Sequence, residues 1–197
     1  MTEFWVFFEK GLRHILNLYA YDHILFLIAL TVPYSFKDWK RLLLLVSIFT
    51  IGHTLALIMS IFGVIIINGN LADFLVPITI LIVAFFNLFN AGKSSRHESI
   101  SVAVFITLFF GFIHGLGFAR YFKTLLVGSP QSKLLPISEF SLGIEASQIV
   151  AIFIVLIISY IVQTLFRFSR RDWMLVMSSF VIGVVLPMIL QSGIWNR

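Results

Sequence analysis

Cysteine is absent from this 197-residue sequence. Its absence excludes disulfides, thiolate zinc sites, cysteine-ligated iron–sulfur clusters and thioether-attached haem, so any metal must be held by nitrogen and oxygen. Charge is scarce too: 12% of the residues are Asp, Glu, Lys or Arg and 59% are hydrophobic, whereas soluble domains are about 25% charged and about 45 to 50% apolar. No polar stretch is long enough for a separate soluble domain of about 50 residues. Residues 1–197 therefore read as a single integral membrane domain. Nothing resembles a glycine-rich nucleotide-binding loop, so any transport by this chain is facilitated, ion-coupled or driven by a partner.

The formal charge of +5 would suit nucleic acid, but the Lys and Arg residues lie between apolar runs, where positive charge sets membrane topology. No nucleic-acid partner is expected; the lipid bilayer is. The opening residues Met-Thr-Glu-Phe-Trp carry an acid where a signal peptide carries bases, and no small-residue cleavage site follows, so the N-terminus is read as mature.

The apolar runs are long and unbroken and do not alternate with period two, which favours helices over a barrel. Phe4 to Leu18, interrupted by Glu9, Lys10, Arg13 and His14, suits a helix at the interface or leading into the bilayer. Spans follow at Tyr21 to Pro33 (extended backwards through His14), Leu42 to Ile67, Leu71 to Phe89, Ile100 to Phe118, Phe140 to Phe166 and Trp173 to Leu190. The expected fold is all-α: a polytopic bundle of about six membrane helices plus the N-terminal helix. The loops after the first, third and fifth spans hold eight basic residues (Lys37, Lys40, Arg41, Lys93, Arg96, Arg167, Arg170, Arg171), against six on the other side (Lys10, Arg13, Arg120, Lys123, Lys133, Arg197). That bias places those loops in the cytoplasm and both termini outside, with Trp39 and Trp173 at the inner interface and Trp5 and Trp195 at the outer one.

Ionisable groups inside these spans cost roughly 2.5 to 3.5 kcal/mol each and call for a partner or a purpose. Asp22 and His23 lie in the first span, His53 in the second, His114 in the fourth and Glu145 in the fifth, with His14 ahead of the first and His97 in a loop. At about 1.5 Å per residue from the cytoplasmic ends, all five span residues fall in the middle or outer half of the bilayer. A single histidine can simply hydrogen-bond to a neighbouring helix. Several imidazoles with one or two carboxylates and no sulfur form a ligand set for nickel, cobalt, iron or zinc. Gln148, one turn from Glu145, is placed to orient a ligand. Gly52 precedes His53, and Gly111 and Gly115 flank the approach to His114 at the spacing that lets helices come close.

Three segments resemble the HupE/UreJ family of small bacterial membrane proteins, regarded as nickel or cobalt permeases: Gly11 to Phe26 with His14 and Asp22-His23, Phe49-Thr50-Ile-Gly-His53-Thr54-Leu55, and Phe110-Gly111-Phe-Ile-His114-Gly115-Leu-Gly117-Phe118-Ala119. A fourth, Phe140 to Gln148, is similar to the family's stretch in the late helix. The resemblance implies an inner-membrane metal transporter with Asp22, His23, His53, His114 and Glu145 as ligands, and Thr50 and Gln148 behind them. It departs from the family at Ser141 and Ser147, and in the seven residues between His14 and Asp22 where the family has five. On a straight helix that spacing sets His14 and Asp22 about 12 Å apart in rise, so His14 joins the site only if the helix breaks around Asn17 to Ala20. The same residue types would also serve an intramembrane zinc hydrolase, and two of the histidines a haem b cytochrome; transport is the leading expectation. Single cysteines placed at Lys93 and Ser129 should react with an impermeant label from opposite sides of the membrane; equal labelling of both from outside defeats this topology.

Overall fold

A computed structural model describes residues 3–16, 21–92, 100–126 and 133–195. Among them are seven α-helices and no strand: α1 (Glu3–Leu16), α2 (Asp22–Thr31), α3 (Trp39–Ile61), α4 (Gly69–Phe89), α5 (Ile100–Leu125), α6 (Leu134–Leu165) and α7 (Arg170–Leu190). Lys93, Arg96, His97, Ser129 and Arg197 lie outside the described residues, as does the Asn17 to Ala20 segment.

The five helices α3 to α7 are long and apolar enough to cross a membrane. The remaining expected span is not a full one. Tyr21 to Pro33 yields a helix of only 10 residues, Asp22–Thr31, about 15 Å long where a bilayer core needs about 30 Å. The single helix drawn through His14 is instead two pieces, with α1 ending at Leu16 and α2 beginning at Asp22. Beyond α2, Pro33 ends the run: it has no N–H to offer the Ala29 carbonyl four residues back. Asn87 of α4 replaces that donor, its amide reaching the Ala29 oxygen at 2.7 Å, which is how a buried carbonyl is satisfied where water is absent. The Arg170 guanidinium, at the start of α7, donates to the carbonyl of Pro33. Side-chain caps start α4 and α7. Asn68 accepts from the Asn70 N–H ahead of α4, and Ser169 from the Asp172 N–H ahead of α7.

Two helix pairs make backbone-close contacts through glycine. On α3 and α5, a Cβ at Gly52 would run into the Leu108 carbonyl, one at Gly111 into that of Phe49, and one at Gly115 into that of His53. On α1 and α6, Gly11 and Gly143 face each other in the same way across the carbonyls of Phe140 and Phe8. With little hydrophobic drive between helices in lipid, such close van der Waals approach holds the pairs together. Around them Phe26, Phe49, Phe122, Phe140, Leu45, Ile80 and Ile144 fill a continuous core. Trp5, Trp39 and Trp195 are exposed, but Trp173 is buried against Val32 and Met174 and belongs to packing, not to a lipid-facing belt.

These contacts set the sign of two substitutions. Gly115→Val should lower thermal stability in detergent by about 1 to 3 kcal/mol, since the added carbons meet backbone. Gly183→Ala on α7, where a Cβ meets nothing within 4 Å, should be neutral or stabilising by up to about 1 kcal/mol; equal losses in both would contradict the packing.

Candidate metal centre

The break between α1 and α2 brings its two ends to one place. His14, in the last turn of α1, and His23, in the first turn of α2, have ring centroids 4.5 Å apart. His53 of α3 stands 6.0 Å from His14 and 5.7 Å from His23, and His114 of α5 stands 5.1 Å from His23. One ligand nitrogen from each of His14, His23 and His53 lies within 4.8 Å of the other two. Around a tetrahedral ion with bonds of about 2.0 to 2.1 Å, nitrogens sit about 3.3 Å apart, so modest ring rotations bring the three to one centre. Gly115, next to His114, rests on the carbonyl of His53 itself, so α3 and α5 meet backbone to backbone at this level.

The hydrogen bonds fix the tautomers. A carbonyl only accepts, so the 2.8 Å contact of His114 Nδ1 with the Phe110 oxygen puts the proton on Nδ1 and leaves Nε2 a bare lone pair. His23 Nδ1 likewise donates to Asp22 Oδ1 at 3.1 Å, and that oxygen also accepts the His23 backbone N–H at 2.8 Å. This is the carboxylate–histidine pair that orients metal-binding imidazoles. The outward nitrogens have no protein partner: His14 Nε2, His23 Nε2, His114 Nε2 and both ring nitrogens of His53 are buried without a hydrogen bond. Leaving such groups unpaired costs about 1 to 3 kcal/mol apiece. A cation that takes the available lone pairs removes that cost for four of them; neutral His53 keeps an N–H on its other nitrogen.

Aromatic rings wall the cluster. Phe118 lies against His14 with centroids 3.7 Å apart, and Phe26 and Phe49 contact His114 at 5.2 and 5.1 Å. A cavity of about 790 Å³ reaches His14, Asp22, His23 and His114 and is also lined by Lys10, by Asp73 near the start of α4, and by Leu125 and Gln191 at the ends of α5 and α7. His53 does not line this cavity and is fully buried.

The family described as HupE / UreJ protein matches residues 1–192. The chain belongs to the HupE/UreJ family. That family is linked to nickel and cobalt handling, in keeping with a cluster of imidazoles and no sulfur. No curated protein and no solved structure matches the chain.

Within this HupE/UreJ chain the expected ligands divide in two. Asp22, His23, His53 and His114 come together, and His14 joins them because α1 ends before α2 begins. Glu145, like Asp22 and His114, lies outside the mutually close group of His14, His23 and His53, but Asp22 and His114 contact His23. The Glu145 oxygens accept from Ser47, at 2.6 Å, and from Thr50, and Thr50 also stands 3.0 Å from Gln148 Oε1. Reckoning depth along α6 from Phe166 had put Glu145 level with the histidines. Its partners Ser47 and Thr50 instead precede His53 on α3, toward the cytoplasmic end as expected from the basic loops. Ser47 and Thr54 were not singled out from the sequence, although Ser47, Thr50 and Thr54 recur at helical spacing in an otherwise apolar run.

Asp22→Asn tests the orienting role of the carboxylate. Affinity for Ni²⁺ in purified protein should fall about 10- to 100-fold, by titration calorimetry beside the parent; an unchanged isotherm would remove Asp22 from the site.

Proposed function

We propose that this protein binds a divalent transition metal, nickel or cobalt, at His14, His23, His53 and His114 and carries it across the bacterial inner membrane. The observation that carries the reading is one nitrogen each from His14, His23 and His53 within 4.8 Å of the other two, with buried ring nitrogens of these residues and of His114 lacking a hydrogen-bond partner beside a large cavity. Unpaired polar groups at that depth are costly unless a ligand uses them, and neutral imidazoles with Asp22 as countercharge suit these ions and disfavour magnesium or calcium.

Two features support carriage over storage. The histidine cluster sits between the end of α1 and the start of the short α2, and discontinuous helices of this kind line binding sites in membrane transporters. A second, apolar cavity of about 270 Å³ lies beyond the aromatic layer, lined by Phe26, Phe110, Asn87 and Thr107. Phe26 touches the His114 ring and also lines that second cavity, so a ring movement there would change which side the cluster faces. In this reading the large cavity opens to the non-cytoplasmic side, where both termini lie.

Elemental analysis of protein purified without chelator should find nickel or cobalt near one ion per chain, lost in His23→Ala and in His53→Ala. Proteoliposomes should take up Ni²⁺ with the parent and not with these variants. Metal content that survives both substitutions would overturn the site; retained binding without uptake would overturn transport and leave binding standing.

A further inference from the structure

The cavity that reaches the histidines is larger than an ion needs. Its volume is about 790 Å³, within the range of about 300 to 1,000 Å³ that small organic ligands occupy. A divalent ion with six waters fills only about 180 Å³, at about 30 Å³ per water. Besides the histidines, the charged residues that line it are Lys10 and Arg13 of α1, Asp22 of α2 and Asp73 of α4. Two of these are already engaged: Arg13 pairs with Glu9 at 2.6 Å, and Asp22 accepts from His23. No ion pair among the described residues includes Lys10 or Asp73, so opposite charges share the cavity without closing on each other.

Lys10 stands four residues before His14, so the two share one face of α1, with Cβ atoms about 5 to 6 Å apart. Both line the cavity. The Lys10 ammonium lies over the Phe7 ring, 5.2 Å from its centroid, and Phe7 packs edge-on against the buried Phe122 of α5. The ring face holds the amine in place, but among the described residues its three N–H donors meet no oxygen. An unpaired ammonium one turn from the histidines repels an approaching dication. The repulsion becomes attraction when the ion arrives with a carboxylate attached. Asp73, on α4, offers the reverse charge to the same space and accepts N–H groups.

We propose that the cavity receives the metal as a complex with a small amino-acid chelator, whose carboxylate is held by Lys10 and whose amine N–H groups donate to Asp73 while the ion faces the histidines. This rests on the metal-binding reading above and names the form in which the ion arrives. The two unpaired charges select the class. A chelator made only of carboxylates sets its charge against Asp73, and one made only of amines brings nothing to Lys10. An amino acid fills part of the ion's coordination, so imidazole nitrogens replace the remaining waters before the chelator lets go.

Equilibrium dialysis of the full-length protein in detergent tests this, against radiolabelled Ni²⁺ given alone or with one equivalent of L-histidine carrying a second label. The parent should retain both labels together in near-equal amounts, and should hold the amino acid only when nickel is present. Lys10→Met, which keeps the apolar stem on Phe7, should weaken retention of the complex about tenfold more than retention of the aquo ion. Lys10→Arg should restore it, and Asp73→Asn should lower it in the same direction; retention of the aquo ion by each variant shows that it has folded. Nickel retained without the amino acid overturns the proposal and leaves the metal site standing. Amino acid retained equally without nickel overturns it as well, since the cavity would then serve the chelator alone. Equal losses of complex and aquo ion in Lys10→Met do the same. Retention of nickel in neither form overturns the metal-binding reading, and the chelate with it.

Discussion

In a bilayer every buried polar group must find its partner inside the protein, and the arrangement of this chain follows from how that demand is met or left open. Where Pro33 deprives Ala29 of a donor, Asn87 crosses from α4 to supply one. Some buried hydroxyls in the spans return to their own helices, as Thr79 does to Val76 and Ser147 to Gly143. Against that background the unsatisfied imidazole nitrogens stand out by their number and by lying together. They mark the place where the fold leaves bonding capacity for something that is not protein.

Glycine makes that concentration geometrically feasible. Two imidazoles on neighbouring helices meet only if the backbones beneath them are close, and Gly111 and Gly115 let α5 settle onto the carbonyls of Phe49 and His53. The Gly11–Gly143 contact does the same for α1 and thereby carries His14 inward. The rings of Phe118, Phe140 and Phe49 then fix the imidazoles from outside, so the histidines are positioned by packing as well as by hydrogen bonds.

Much of this was legible in the sequence. Long apolar runs gave the helical class, and costly ionisable residues within them marked Asp22, His23, His53 and His114. Gly111 and Gly115 gave the close helix pair. The short α2 was less visible, because hydropathy measures how apolar a stretch is and not where a helix stops, and the Asn87–Ala29 contact is long-range. Glu145 shows the limit of reckoning by depth: helices of 23 and 32 residues do not share a common origin, so counts along α3 and α6 do not convert directly into height. Its partners follow from which faces of those helices meet, a tertiary fact that the polar spacing on each helix only hints at.

His53 is fully buried behind residues that do line the cavity, and that order has a kinetic meaning. Under the proposed function, an ion entering through the cavity would meet His14, His23 and His114 while it still carries water, and would reach His53 only after giving up much of that shell. Dehydration would thereby be divided into steps, each compensated by an imidazole nitrogen. Ions that hold their water tightly and gain little from nitrogen, magnesium above all, would be halted at the first step, so that discrimination would rest on the order of ligand exchange as much as on final affinity.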